Sequence, residues 1–132
     1  MTTRARPDGG QEDHRVFPSG SASVSTARRW VGARLTDAGP DLQATVGLLV
    51  SELAANAVQH GRTSFTVRVD RSEEDRIRVE VTDEGGGSPQ LQDEDPRAAS
   101  GRGLRLVDAL AVAWGVRDDP SPSTTVWFTV LA

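Results

Sequence analysis

The sequence predicts a two-layer α+β fold, with helices on one face of a mixed, mainly antiparallel sheet, and three observations lead to it. Segments 64–70 (SFTVRVD) and 76–83 (RIRVEVTD) alternate apolar and polar residues, with only RSEED between them. They form a hairpin with one buried face. Segment 41–59 instead repeats its apolar residues at helical spacing. A closing run, STTVWFTVL at 123–131, reads as one more strand. Helices grouped beside such strands bury their apolar stripes on one side of the sheet.

The elements follow in order. Residues 1–13 are polar and carry Pro7, Gly9 and Gly10, so a flexible tail is expected ahead of a single domain at 14–132. HRVFPSG, 14–20, is a short strand ended by Pro18 and Gly20. SVSTARRWVGARL, 23–35, places Ala27, Trp30, Val31 and Leu35 at helical spacing, and Ser23 or Ser25 can cap it. Gly39-Pro40 ends that helix. Asp41 then caps a second helix reaching about Gln59, with Gly61 as its stop. Its stripe is Leu42, Val46, Leu49, Val50, Leu53 and Ala57. After the hairpin, residues 84–103 are Gly-rich, acidic and broken by Pro. A loop that long in a compact domain is functional or disordered. LRLVDALAVAW, 104–114, is a helix or a helix running into a strand. The order is β-α-α-β-β-loop-α-β-β.

Composition removes several chemistries. The 132 residues suffice for one core. There is no cysteine, which excludes disulfides, thiol catalysis and cysteine-held zinc. The net charge of -4 argues against direct nucleic-acid binding, which needs a basic face. No apolar run is long enough to span a bilayer and no secretory h-region is present, so a cytoplasmic protein away from membranes is expected. The chain has no lysine and no GxxxxGK[ST] motif, so any phosphate must be held by Arg, backbone N–H groups or a metal.

Three motifs could carry chemistry. In VSELAANAVQHG, 50–61, Glu52, Asn56 and His60 recur every four residues and share one helix face. Small neighbours Ala54, Ala55 and Ala57 let a ligand approach. An Asn oxygen is a good hard-metal ligand, and Mg²⁺ bound with phosphates takes one or two protein ligands. Glu52, a turn earlier, can accept a proton. In VTDEGGGSP, Asp83 ends a strand and can accept a hydrogen bond from the exocyclic amine of a flat ligand. Gly85, Gly86 and Gly87 let backbone approach the ring. In GRGLRLVDAL, Gly101 and Gly103 precede an apolar helix, as in a phosphate loop feeding a helix N-terminus. It is not a dinucleotide fingerprint, since Leu106 stands at the third glycine. The ordinary reading of each is also open: a polar helix face, a flexible turn, a loop.

ExxxN on a helix, then DxGxG after a hairpin strand, a variable loop and GxGL at a helix start resembles the GHKL ATPase superfamily, over roughly residues 14–132. The segments look like its N, G1 and G2 boxes. SELAANAVQHG, GRGLRLVDALA and TTVWFTV are similar to its small single-domain branch, the anti-sigma-factor serine/threonine kinases. The resemblance implies a Bergerat-type ATP-binding fold. Asn56 would hold Mg²⁺ at the ATP phosphates and Glu52 would be the general base. Asp83 would bind the adenine amine, with Gly85 and Gly87 shaping the pocket and Thr125 assisting. Gly101, Arg102, Gly103 and Leu104 would contact the phosphates, and residues from about 88 to 100 would form a lid. The implied partners are a sigma factor or similar regulator and an antagonist protein as phospho-acceptor, with a homodimer as a possible assembly. Two further functions stand beside the kinase: a non-catalytic ATP-binding partner-capture module, and a detached histidine-kinase catalytic domain. Arg105 stands where histidine kinases often carry another glycine, so it either crowds the helix start or reaches a phosphate. His60 is assigned to a helix-end or packing role.

Overall fold

The structure, a computed structural model, describes residues 4–5, 11–60, 64–83, 99–118 and 123–132. Its elements are β1 (Arg4–Ala5), β2 (Gln11–Phe17), α1 (Ala22–Gly32), α2 (Pro40–His60), β3 (Phe65–Asp70), β4 (Arg76–Asp83), α3 (Ala99–Leu110), β5 (Ala113–Asp118) and β6 (Thr124–Leu131). One sheet holds all six strands in the order β1-β2-β3-β4-β6-β5. Every neighbouring pair is antiparallel, in keeping with the mainly antiparallel sheet expected.

The period-two segments fold as the alternation dictates. On β4, Ile77, Val79, Val81 and Asp83 are buried while Arg78, Glu80 and Thr82 are partly exposed. The register sets Val81 against Val67 and Val126, and Val79 against Val69 and Phe128, so the three central strands share one apolar face. The predicted stripe of α2 packs there, with Val46, Leu49, Val50, Leu53 and Ala57 all buried. Phe17 stacks on Phe65 at 5.6 Å between ring centroids and meets Trp30 of α1 edge-on at 5.9 Å. Truncating a buried phenylalanine such as Phe128 costs about 3–5 kcal/mol, so this layer dominates stability.

Several boundaries differ from the expectations, each for a local reason. Arg4–Ala5 and Gln11–Asp13, placed in the tail, are strand. QEDHRVF hides its alternation because Asp13, on the inner side, is buried by pairing with Arg34 at 2.6 Å instead of by being apolar. Neither Ser23 nor Ser25 caps α1: Ser21 is the cap residue, without a side-chain bond, and the Ser23 hydroxyl donates to the Pro18 carbonyl at 2.6 Å. Pro40, not Asp41, starts α2, which suits a first helical position that needs no N–H partner, and Asp41 lies in the first turn. The stop expected at Gly61 lies outside the described residues. Residues 104–114 resolve into helix to Leu110 and strand from Ala113.

Among the described residues the outer sheet face carries no helix. Ion pairs join Arg68 to Glu12 and, at 2.9 Å, Arg78 to Glu80. Among the described residues no helix is long and apolar enough to cross a membrane.

Candidate nucleotide site

Asn56 follows Leu53 by three positions on α2 and so sits on the side of the helix that packs on the sheet. It is 4% exposed. Neither Oδ1 nor Nδ2 of its amide has a hydrogen-bond partner among the described residues. A buried, unsatisfied polar group costs about 1–3 kcal/mol, and such exceptions in a native fold call for a functional reason. Asn56 lines a cavity with Leu53, Ala57, Val81, Asp83, Thr124 and Val126. The cavity holds about 10 Å³. That is room for about one water between the described walls.

Asp83 arrives in this cavity through strand parity. It ends β4 two residues past Val81, on the inner face, and is 7% exposed. Across the ladder it pairs with Thr124 of β6 and Phe65 of β3. The same register sets Thr125 apart from Asp83. Thr125 pairs with Thr82 on the outer face, their hydroxyl oxygens 2.7 Å apart, with Arg117 Nη2 at 3.5 Å from the Thr125 oxygen. Thr124 is the threonine beside Asp83 and Asn56. The signal was present in the sequence, because Val126, Phe128 and Val130 set the inward parity of this strand and Thr124 shares it.

Glu52 lies one turn before Asn56, half-buried and against α3. A Cβ placed on Gly103 would stand 3.2 Å from both Cβ and Oε1 of Glu52 and 3.7 Å from its carbonyl oxygen. Gly103 therefore allows the two helices to approach with the carboxylate between them. The GxGL segment does not open α3, which begins two residues earlier at Ala99. Gly101 and Arg102 fall in the first turn, where N–H groups lack helical acceptors, and Gly103 lies beyond it. Leu104 is 5% exposed and packs into the hydrophobic core with Val107. Arg105 is exposed and stands two residues, about 200° of helix, from Gly103. It neither crowds α2 nor lies beside Glu52. His60 is the last residue of α2. Gly85, Gly87 and residues 88–98 of the expected lid lie outside the described residues.

The structure thus gathers Asn56, Asp83 and Thr124 in one cavity, with Glu52 and Gly103 at the neighbouring helix contact. An unpaired amide, a buried carboxylate and a hydroxyl at the end of a sheet suit a polar heterocycle with attached oxyanions. Comparison with curated proteins gives no match. Among solved structures, a chain in the SiaB-SiaC complex from Pseudomonas aeruginosa shares the fold, with a TM-score of 0.59, 15% identity and 89% of each chain covered. Residues 17–130 match the histidine kinase-like ATPase domain, a span that starts at the end of β2 and includes all three helices, so the chain belongs to that family.

Proposed function

We propose that the protein is a cytoplasmic, ATP-binding regulator that acts as a serine/threonine protein kinase of the anti-sigma type. It would bind a sigma factor or similar regulator and phosphorylate a serine on an antagonist protein. The observation that carries this reading is the buried Asn56 amide, unpaired among the described residues and aimed into the cavity shared with Asp83 and Thr124. The likeness to a chain solved as part of a two-protein complex supports a regulator that works through a partner.

The residues fit the group the reading requires. Asn56 Oδ1 is a hard oxygen donor, and no cluster of three or more acidic or imidazole side chains able to hold a metal occurs among the described residues. Magnesium at Asn56 would take its remaining ligands from phosphate and water, and would neutralise phosphate charge. Asp83 accepts the adenine amine, and Thr124 supports it from the facing strand. Glu52, next to α3, takes the proton of the attacking hydroxyl. Gly103 keeps that carboxylate in place by leaving it room.

Calorimetric titration with ATP and Mg²⁺ tests the reading. Wild-type protein is expected to bind in the micromolar range, only with Mg²⁺ present, and Asn56→Ala to lose that binding while remaining folded by circular dichroism. Absence of binding in the wild type, or unchanged binding in the variant, overturns it.

A further inference from the structure

Helices α1 and α2 pack side by side, and a groove of about 430 Å³ runs between them. Buried Val31, Leu35 and Val46 form its floor, and exposed Arg28, Arg29 and Leu48 form its rim. No carboxylate lines it. Arg34, Arg68, Arg71, Arg76 and Arg78 all pair with acidic side chains. Arg28 and Arg29 have no carboxylate partner among the described residues. Arg28 is nonetheless held in place. Its Cγ and Cδ lie 3.5 Å from where a Cβ on Gly47 would stand, and Nη1 lies 3.4 Å from the Ser51 hydroxyl. Two uncompensated guanidinia beside an apolar trough are notable on a chain whose net charge is -4. Leu48, a large apolar residue 41% exposed, shares the rim with them.

We infer that this groove docks an acidic amphipathic helix of a partner protein. A trough between two helices has the shape that accepts a third, with apolar anchors seated at helical spacing. The two arginines select carboxylates on the flank of that helix, and electrostatic complementarity of this kind governs partner choice and association rate. A nucleic acid is disfavoured, because the chain carries a net charge of -4. The inference rests on the reading of the protein as a partner-binding regulator and names the surface that reading requires. Asn56 lies on α2 toward the sheet, so the groove and the nucleotide cavity share no lining residue.

The test uses the full chain and a fluorescein-labelled helical peptide of about five turns, with Leu at helical spacing and Glu on both flanks. A second peptide carries Lys at the Glu positions. Fluorescence anisotropy is expected to show the acidic peptide binding at least about tenfold tighter than the basic one, with the preference falling as salt is added. Arg28→Glu with Arg29→Glu reverses the preference, and Leu48→Ala weakens both peptides. ATP titration of the charge-reversed protein is a control: unchanged nucleotide binding shows an intact fold and a separate site. Equal binding of both peptides, or a preference unmoved by the charge reversal, overturns the inference while leaving the nucleotide reading intact. Ultracentrifugation showing that the reversal dissociates a homodimer also overturns it, in favour of a second copy of this chain in the groove. Failure of the wild type to bind ATP instead sinks the nucleotide reading and leaves the peptide result standing.

Discussion

Asp83 and Thr124 face each other across the β4–β6 ladder, on the sheet side that packs against Asn56. Thr82 and Thr125, one residue along, face each other on the opposite side. Two adjacent threonines therefore have separable roles. Thr124→Val keeps the shape and removes a hydroxyl from the cavity. It is expected to weaken ATP binding about five- to tenfold, the value of one hydrogen bond of about 1–1.5 kcal/mol. Thr125→Val should leave affinity within about twofold and instead lower stability by about 1 kcal/mol through loss of the Thr82 contact. Calorimetry and urea titration of both variants check the pair. The reverse pattern would place the ligand on the outer sheet face.

Glu52 and Gly103 are coupled by contact. Glu52→Gln keeps the volume and the position against α3 but removes the basic carboxylate. Binding of ATP should persist within about threefold while phosphate transfer or hydrolysis falls by about 10²–10⁴, the usual contribution of a general base. Gly103→Ala inserts a methyl at 3.2 Å from the carboxylate oxygen and should lower turnover with Glu52 chemically intact. Turnover unchanged in Glu52→Gln would remove it as the base. Turnover absent even in the wild type, with ATP bound, would favour the non-catalytic module.

The parts of the fold that were legible in the sequence are those with a short period. Arg76–Asp83 has the predicted bounds because each alternate residue is apolar until Asp83. The same alternation delivered Asp83 to the inner face, and the ExxxN spacing placed Glu52 and Asn56 one turn apart. Partnering across the chain was less visible. Gln11–Asp13 became strand by pairing with β1 and with Val69 and Asp70 of β3, and Asp13 is buried there against Arg34, 21 positions away. Ala99 and Ser100 started α3 within a segment whose glycines and proline argued for loop. The role of Gly103 depends on how closely α2 passes, which no spacing within GRGL encodes.

Gly115 and Trp127 give a prediction of the same non-local kind. A Cβ on Gly115 would lie 3.0 Å from Cζ2 and Nε1 of the Trp127 indole and 3.1 Å from Cε2. Alanine in place of a strand glycine ordinarily gains about 0.5–1 kcal/mol. Here overpacking, which costs about 1–3 kcal/mol, should win. The indole has little room to retreat, because the Arg78 guanidinium lies over its ring at 4.1 Å from the centroid and is anchored to Glu80. Gly115→Ala is expected to lower the urea midpoint. A raised midpoint would mean that the indole moves freely on the outer face.

Asp37 and Arg71 give one pH-dependent prediction. The Arg71 guanidinium donates to Asp37 at 2.6 Å and 3.2 Å, and this hydrogen bond, with a backbone one, holds the Asp37 carboxyl below its usual value. Arg71 also donates to the Arg34 carbonyl at 3.1 Å, so the pair ties the chain after α1 to the end of the sheet. A carboxyl with a depressed folded-state value binds fewer protons folded than unfolded. Its contribution is therefore complete above the unfolded value of about 4 and is lost as pH falls through the lower folded value. Asp37→Asn should lower the melting temperature slightly at neutral pH, since the pair is on the surface and salt screens it. The two proteins should converge as the solution is acidified below the carboxylate range. Thermal melts of wild type and variant across that range decide it. A difference that stays constant to the lowest pH would assign the effect to lost packing and not to the charge.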